Sequence, residues 1–129
     1  MTNRFEISYQ DDPLIEGENA IVAYARRKNG NRPAKKYLED LQKEDQAKLA
    51  KLFSKIVEVG KIINTERFRH LSGKIWEFKV HTGVRILCFQ EGKTWFLTHG
   101  FNKQRRKTPP KEIATAEQIM DEHLAYNQR

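Results

Sequence analysis

The sequence predicts an α+β fold: an antiparallel sheet, mixed at its N-terminal strand, packed against a helical hairpin and a C-terminal helix. Three observations predict it. Residues 45–59 carry apolar side chains at helical spacing, residues 74–98 alternate apolar and polar positions between short turns, and Pro109-Pro110 opens a last periodic segment. Sequential strands with short connections form an antiparallel meander, and the helices are expected together on one face of it. The 129 residues are expected to form a single domain, 1–129, long enough for a core without disulfides.

Phe5, Ile7 and Tyr9 alternate with Glu6 and Ser8, which predicts a first, half-buried strand ended by Asp11, Asp12 and Pro13. Ile21 to Tyr24 is a second β-prone segment, although the flanking alanines leave a helical reading open. Gly30 and Asn31 break the chain, and Pro33 suits the first turn of a helix with Tyr37, Leu38 and Leu41 on its apolar stripe. In the next helix Leu49, Leu52, Phe53, Ile56 and Val59 share a face, and Gly60 supplies a C-terminal stop. A basic loop with Arg67, Arg69 and His70 is expected after it.

Three strands are then expected, over 74–80, 84–90 and 94–98. A three-residue turn, His81-Thr82-Gly83, gathers the apolar residues by opposing Val80 to Val84, Phe78 to Ile86 and Trp76 to Cys88. A two-residue turn would put Arg85 in the hydrophobic row. The three-residue register requires a left-handed Gly83 and places Lys79 opposite Arg85. Thr108 is a candidate N-cap for a final helix with apolar Ile113, Ala116, Met120 and Leu124.

Twenty-four Lys and Arg against seventeen Asp and Glu give a net charge of +7. The excess clusters at 26–36 (Arg26, Arg27, Lys28, Arg32, Lys35, Lys36) and in Lys103, Arg105, Arg106, Lys107 and Lys111. Clustered cations point to nucleic acid or an acidic partner; a solvated basic surface is the plainer alternative. Like charges facing each other are unfavourable, so a bound anion explains the Lys79–Arg85 pair, and splaying into solvent or pairing with acids such as Glu77 is the alternative. The single cysteine, Cys88, reads as a small core hydrophobe in a reducing compartment. No secretory or membrane-spanning apolar run is evident, so a cytoplasmic protein with no membrane association is expected.

Among the histidines, His81 is expected in an exposed turn and His123 among polar helix positions. His70 borders the basic loop, within reach of RNA or simply on the surface. His99, between the last strand and the basic run, is the candidate for acid–base work. No zinc-ligand spacing, serine–histidine–acid triad or phosphate-binding glycine loop is legible, so no metal and no cofactor are expected.

Taken together, HLSGKIWEFKVHTGVRILCF and LTHGFNKQRRKTPPKEIATAEQI, preceded by a helical hairpin, resemble the RelE/HigB-like toxins of type II toxin–antitoxin modules. The resemblance is nearest to the phage-derived HigB-like branch and covers roughly residues 20–120. It implies a small microbial RNase fold and, in ribosome-dependent members, cleavage of mRNA in the decoding site. It further implies an adjacently encoded antitoxin partner, expected to be a helix-turn-helix protein. Carried over by position, Lys79, Arg85 and Lys103 become candidate catalytic residues, and His99 joins them from the reading of the histidines above. Arg69, His70, Lys74, Phe101, Arg105, Arg106 and Lys107 become the candidate RNA-binding residues, with Phe101 open to a core role instead. Two positions depart from the pattern: Val84 stands where an aromatic is usual, and Gln104 replaces a second lysine.

Cleavage by 2′-OH attack on the adjacent phosphate needs a base, an acid and stabilisation of a phosphorane-like anion. Lys79 fits the first role if neighbouring cations lower its pKa, Arg85 fits the last, and Lys103, Arg105 or His99 fits the acid. Two other readings stand beside the nuclease: a non-nuclease toxin of the related ParE type acting on gyrase, and an inactive phage-derived nucleic-acid-binding protein.

Overall fold

A computed structural model describes residues 7–103 and 107–127. Its α+β architecture is a six-stranded mixed sheet with three helices. The elements are β1 (Ile15–Glu16), β2 (Ile21–Tyr24), α1 (Pro33–Glu39), α2 (Lys43–Val59), β3 (Phe68–Ser72), β4 (Ile75–Lys79), β5 (Val84–Glu91), β6 (Thr94–Asn102) and α3 (Pro110–Asn127). The strand order is β1-β2-β6-β5-β4-β3. β2 runs parallel to β6, and every other neighbouring pair is antiparallel. The mixed character therefore does come from the N-terminal part of the sheet.

Helices cover both faces, which corrects the one-face expectation. On one face Phe78, Ile86, Cys88 and Leu97 pack against Leu38, Leu49, Phe53 and Ile56 of α1 and α2. On the other, Ile75, Leu87 and Phe89 pack against Ala116 and Ile119 of α3. Double coverage explains why β5 is buried at six consecutive positions, Val84 to Phe89. Each such large side chain contributes about 1.5–3 kcal/mol of burial. α2 ends at Gly60, whose φ of +88° lets its N–H reach Ile56 O at 2.8 Å.

Several expectations shift. Of the predicted first strand, Phe5 and Glu6 lie outside the described residues, and Ile7 to Tyr9 form no ladder. The burial alternation there is real: Tyr9 is buried, but its carbonyl accepts from the Tyr24 hydroxyl at 2.7 Å instead of from a strand. Ile15–Glu16 pairs with β2 in its place.

The expected loop around Arg69 and His70 is strand β3. Phe68 and Leu71, three positions apart, face opposite cores, and a register shift follows between His70 and Ser72, so no single apolar row marks the strand. β6 continues past Thr98 to Asn102. Its register slips opposite Leu87/Cys88, and Thr98 Oγ1 donates to Leu87 O at 3.1 Å. Gly100 is thus a mid-strand residue: a Cβ there would lie 2.2 Å from Tyr37 Cδ2, so the α1 ring occupies the space a side chain would need.

The Thr82 turn is as expected. Lys79 pairs with Arg85, Phe78 with Ile86 and Trp76 with Cys88, and Gly83 has a φ of +101°. Cys88 is buried, which pushes its thiol pKa well up. Thr108 is not the expected N-cap: α3 starts at Pro110, one residue later than a cap at Thr108 requires, and the Thr108 hydroxyl donates to Glu77. His123 is buried rather than among solvated positions, and its Nδ1 accepts from the Arg26 N–H at 2.9 Å. Among the described residues no helix is long and apolar enough to cross a membrane.

Candidate functional site

β-sheet parity sets the site. Glu77 and Lys79 on β4, Arg85 on β5, and His99 and Phe101 on β6 all project to the face that carries α3, whose first turn lies beyond Thr108. Where the helix stops covering the sheet, a shallow cleft of about 210 Å³ opens, lined by Glu66, Arg67, Lys79, Val80, His81, Gly83, Arg85 and Lys103. The Lys103 N–H donates to Gly83 O at 2.7 Å, which ties the end of β6 to the turn and brings Lys103 beside the Lys79–Arg85 pair.

The pair is not a bare cationic one. Glu77 is 0% exposed; its Oε1 lies 3.3 Å from Arg85 Nη1 and 3.1 Å from Arg69 Nε, while Thr108 donates to its other oxygen. Arg85 is itself only 5% exposed. A buried carboxylate held by two guanidinium groups and a hydroxyl is satisfied, and removing one partner leaves a buried charge. Between the two readings weighed from sequence, pairing with an acid therefore accounts for much of why Arg85 tolerates Lys79 opposite. Lys79 has no such carboxylate: among the described residues no ion pair holds it. Desolvation first, then the charges of Arg69 and Arg85, lower its pKa from the ordinary 10.5, with Glu77 and Glu66 opposing.

The other candidates divide. His99 is nearly buried under α3, with Nε2 3.1 Å from Glu112 Oε1 and Nδ1 3.3 Å from Thr98 Oγ1. Desolvation lowers its pKa, against the raising effect of Glu112. It does not line the cleft. Phe101, opposite Arg85, is half-buried against the α3-side core and stacks near His99 at 5.8 Å, so its core role is the one observed. Arg69 joins the site through Glu77, as a partner of the buried acid.

His70 projects to the opposite face from Arg69; it lies edge-on to Trp76 at 5.2 Å and contacts Gly73 O at 2.7 Å. Lys74 follows Gly73 at the far end of β4 from Lys79, about 17 Å away at the usual strand rise. Neither belongs to the cleft. Lys107 is exposed just before Thr108, and Arg105, Arg106 and Gln104 lie outside the described residues.

The basic run at 26–36 is largely neutralised. Arg27 Nη2 sits 2.7 Å from Glu122 Oε2, Arg32 Nη1 3.3 Å and Arg26 Nη2 3.7 Å from Asp12 Oδ2, and Lys35 Nζ 3.1 Å from Glu39 Oε1. The Arg27 side chain and the Lys28 N–H together hold the Glu122 carboxyl down at about 2. By contrast, among the described residues Glu66 is the one carboxylate on the wall of the cleft.

Sequence reasoning overlooked Glu77 as the organiser, along with Arg67 and His81 on the cleft wall. Glu77 carried a legible signal: it shares a face with Lys79 two residues on and is flanked by Trp76 and Phe78. Its second partner, Arg69, required β3 to be recognised. Among the described residues, no group of three or more His, Cys, Asp or Glu side chains is placed to hold a metal ion.

Comparison with curated proteins finds no match. The model of the family described as phage derived protein Gp49-like (DUF891) matches residues 36–121, which run from the second half of α1 through most of α3 and include every lining residue of the cleft. The chain therefore belongs to the phage-derived Gp49-like family, a RelE/HigB-like family associated with toxin–antitoxin modules.

Proposed function

We propose that this chain is the toxin of a type II toxin–antitoxin module and acts as an mRNA endoribonuclease on the ribosome, halting translation. The observation that carries the reading is the cleft itself: Arg67, Arg85 and Lys103 line an open surface together with Lys79, whose pKa is lowered. A lysine poised below its usual range is a better general base near neutral pH than an ordinary one. In this reading Lys79 takes the 2′-OH proton as the 2′-oxygen bonds to phosphorus, the P–O5′ bond breaks with Lys103 giving its proton to the leaving 5′-oxygen, and the accessible edge of Arg85 stabilises the phosphorane-like charge. Arg69 and Glu77 position Arg85. His99, covered by α3 and bonded to Glu112, serves packing more than proton transfer.

The cognate antitoxin, an adjacently encoded helix-turn-helix protein in this proposal, would silence the toxin by covering the basic cleft with an acidic or apolar segment. A binding-only toxin of the ParE type draws on a different observation, the engagement of Arg85 with Glu77, which makes that arginine part of the architecture.

Expression in a bacterial host with transcript mapping separates the two. Growth arrest with cut mRNAs, relieved by Lys79→Ala, supports the nuclease. Arrest with intact mRNA and a DNA-damage response would turn the assignment to the gyrase-directed reading.

A further inference from the structure

A second groove adjoins the cleft. It lies between α2 and the turn after β4, has a volume of about 280 Å³, and is lined by Lys48, Lys51, Leu52, Arg67, Lys79, Val80 and His81. Four of these, Arg67, Lys79, Val80 and His81, also line the cleft, so the two cavities are one continuous trough that crosses the sheet edge. Its geometry is fixed rather than incidental. Thr82 Oγ1 donates to Asp45 Oδ1 at 2.8 Å, pinning the turn to the first part of α2, and Lys48 Nζ lies 3.4 Å from His81 Nε2 across the groove.

Lys48 and Lys51 stand one helical turn apart and so present their ammonium groups on the same side of α2. Among the described residues neither makes an ion pair, in contrast to Arg27, Arg32 and Lys35. Between them Leu52 and Val80 form an apolar floor. Cations spaced along a wall above an apolar floor match a nucleotide: phosphates on the ammonium groups, the face of a base on the floor. A purely acidic peptide, with no apolar side chains, would use the cations and leave the floor unused.

We propose that this groove is a binding subsite for a flanking nucleotide of a single-stranded RNA, held by Lys48 and Lys51, one step along the strand from the phosphate in the cleft. The proposal rests on the nucleic-acid reading of the cleft and extends it across the turn to α2, where the sequence shows only an amphipathic helix. The strand would pass over His81, with Arg67 and Lys79 contacting it on both sides of the crossing.

The test measures binding by fluorescence anisotropy with labelled 2′-O-methyl uridine oligonucleotides, which cannot be cut, in two lengths: a dinucleotide and a hexanucleotide. The proteins are the full chain, Lys48→Gln/Lys51→Gln, and Lys35→Gln/Lys36→Gln as a control with the same loss of charge elsewhere. The expected result is a roughly twenty-fold loss of hexanucleotide affinity at 0.1 M salt for the α2 variant, with a salt slope shallower by about 1.4, the counterion term for two single-strand phosphates. The dinucleotide affinity and the control variant should stay within about twofold of the full chain.

An unchanged hexanucleotide affinity, an equal loss with the dinucleotide, or an equal loss in the control would overturn the subsite while leaving the cleft reading in place. Failure of the unsubstituted chain to bind either oligonucleotide would remove the nucleic-acid reading and the subsite with it. Competition by poly-glutamate of matched charge as effective as by the hexanucleotide would assign the groove to an acidic protein partner.

Discussion

Arg85 and Glu77 face the same side of adjacent strands, with Nη1 and Oε1 3.3 Å apart and both side chains almost wholly buried. The relationship turns a residue that resembles a phosphate clamp into part of the frame that the clamp is mounted on. It also changes which substitutions can report on activity. Replacing Arg85 with alanine removes a partner of a buried carboxylate, so lost toxicity in that variant, or in its combination with Lys79→Ala, would reflect lost fold as readily as lost chemistry.

Glu77→Ala should be the most damaging single change at the site. It leaves Arg85 buried beside Lys79 and deprives Arg69 and Thr108 of their shared acceptor. A loss of about 3–5 kcal/mol is expected, the usual cost of breaking a buried pair from one side. Urea unfolding followed by circular dichroism measures it; a loss below about 1 kcal/mol would show that Glu77 is not the organiser.

Lys79→Gln should separate chemistry from stability. The side chain is partly exposed and free of ion pairs among the described residues, so stability should stay within about 0.5 kcal/mol of the parent. If Lys79 is the base, single-turnover cleavage should fall by about 10²–10⁴-fold. In the parent, the rate should rise with pH and level off at a value below 10.5, because the lysine must be neutral to accept a proton and its pKa is lowered. A parent profile flat from pH 6 to 10 would remove Lys79 from the base role.

Gly100→Ala should be destabilising although the glycine is neither in a turn nor in the left-handed region. The new methyl would meet the Tyr37 ring, and moving that ring breaks its hydroxyl contacts with Asn102 and with Phe101 O, the latter at 3.1 Å. About 1–3 kcal/mol is expected, as for other overpacked sites. In a double-mutant cycle, Tyr37→Ala should absorb most of the Gly100→Ala cost. Additive costs would mean that the ring is not the obstacle.

Acid should weaken the fold through two histidines. Desolvation is the largest cause in lowering both His99 and His123 from 6.5, so the unfolded chain takes up their protons first. Stability is then fully present above about pH 6.5 and falls as pH drops through the lowered folded-state values. Each histidine contributes a slope of at most about 1.4 kcal/mol per pH unit. His123→Asn, which keeps an acceptor for the Arg26 N–H, should flatten the slope by one proton in urea titrations between pH 5 and 8; an unaltered slope would rule out His123 as a source.

The class of fold, the two helices of the hairpin and the Lys79–Arg85 register were legible because each rests on local pattern. Helical spacing marks α2, and a single turn length decides which residues oppose one another across β4 and β5. β3 was hidden because its two apolar residues, Phe68 and Leu71, stand three positions apart on opposite faces, so neither face shows an apolar row in the sequence. The end of β6 was hidden because Gly100 resembles a strand stop until Tyr37, 63 positions earlier, is known to lie on it. At the site, Lys79 and Lys103 were legible as cations near a sheet edge. Burial of Glu77 was not, since it depends on Arg69 and Thr108 arriving from either side. Lys48 and Lys51 gave no signal beyond an ordinary solvated helix face.

The contacts of Arg26, Arg27 and Lys28 with the last helix have a consequence for how the chain is closed. Arg27 and the Lys28 N–H grip Glu122 while the Arg26 N–H is donated to His123, so the segment leading into α1 buckles onto the far end of α3. The near end of α3 is fastened separately, by Glu112 to His99 and, just ahead of it, by Thr108 to Glu77. A helix clasped at both ends, with Ala116 and Ile119 buried between the clasps, keeps its place over the sheet without depending on either end alone. Salt reaches the partly exposed Arg27–Glu122 end first, whereas Glu77, wholly buried at the near end, keeps the margin of the cleft beyond its screening.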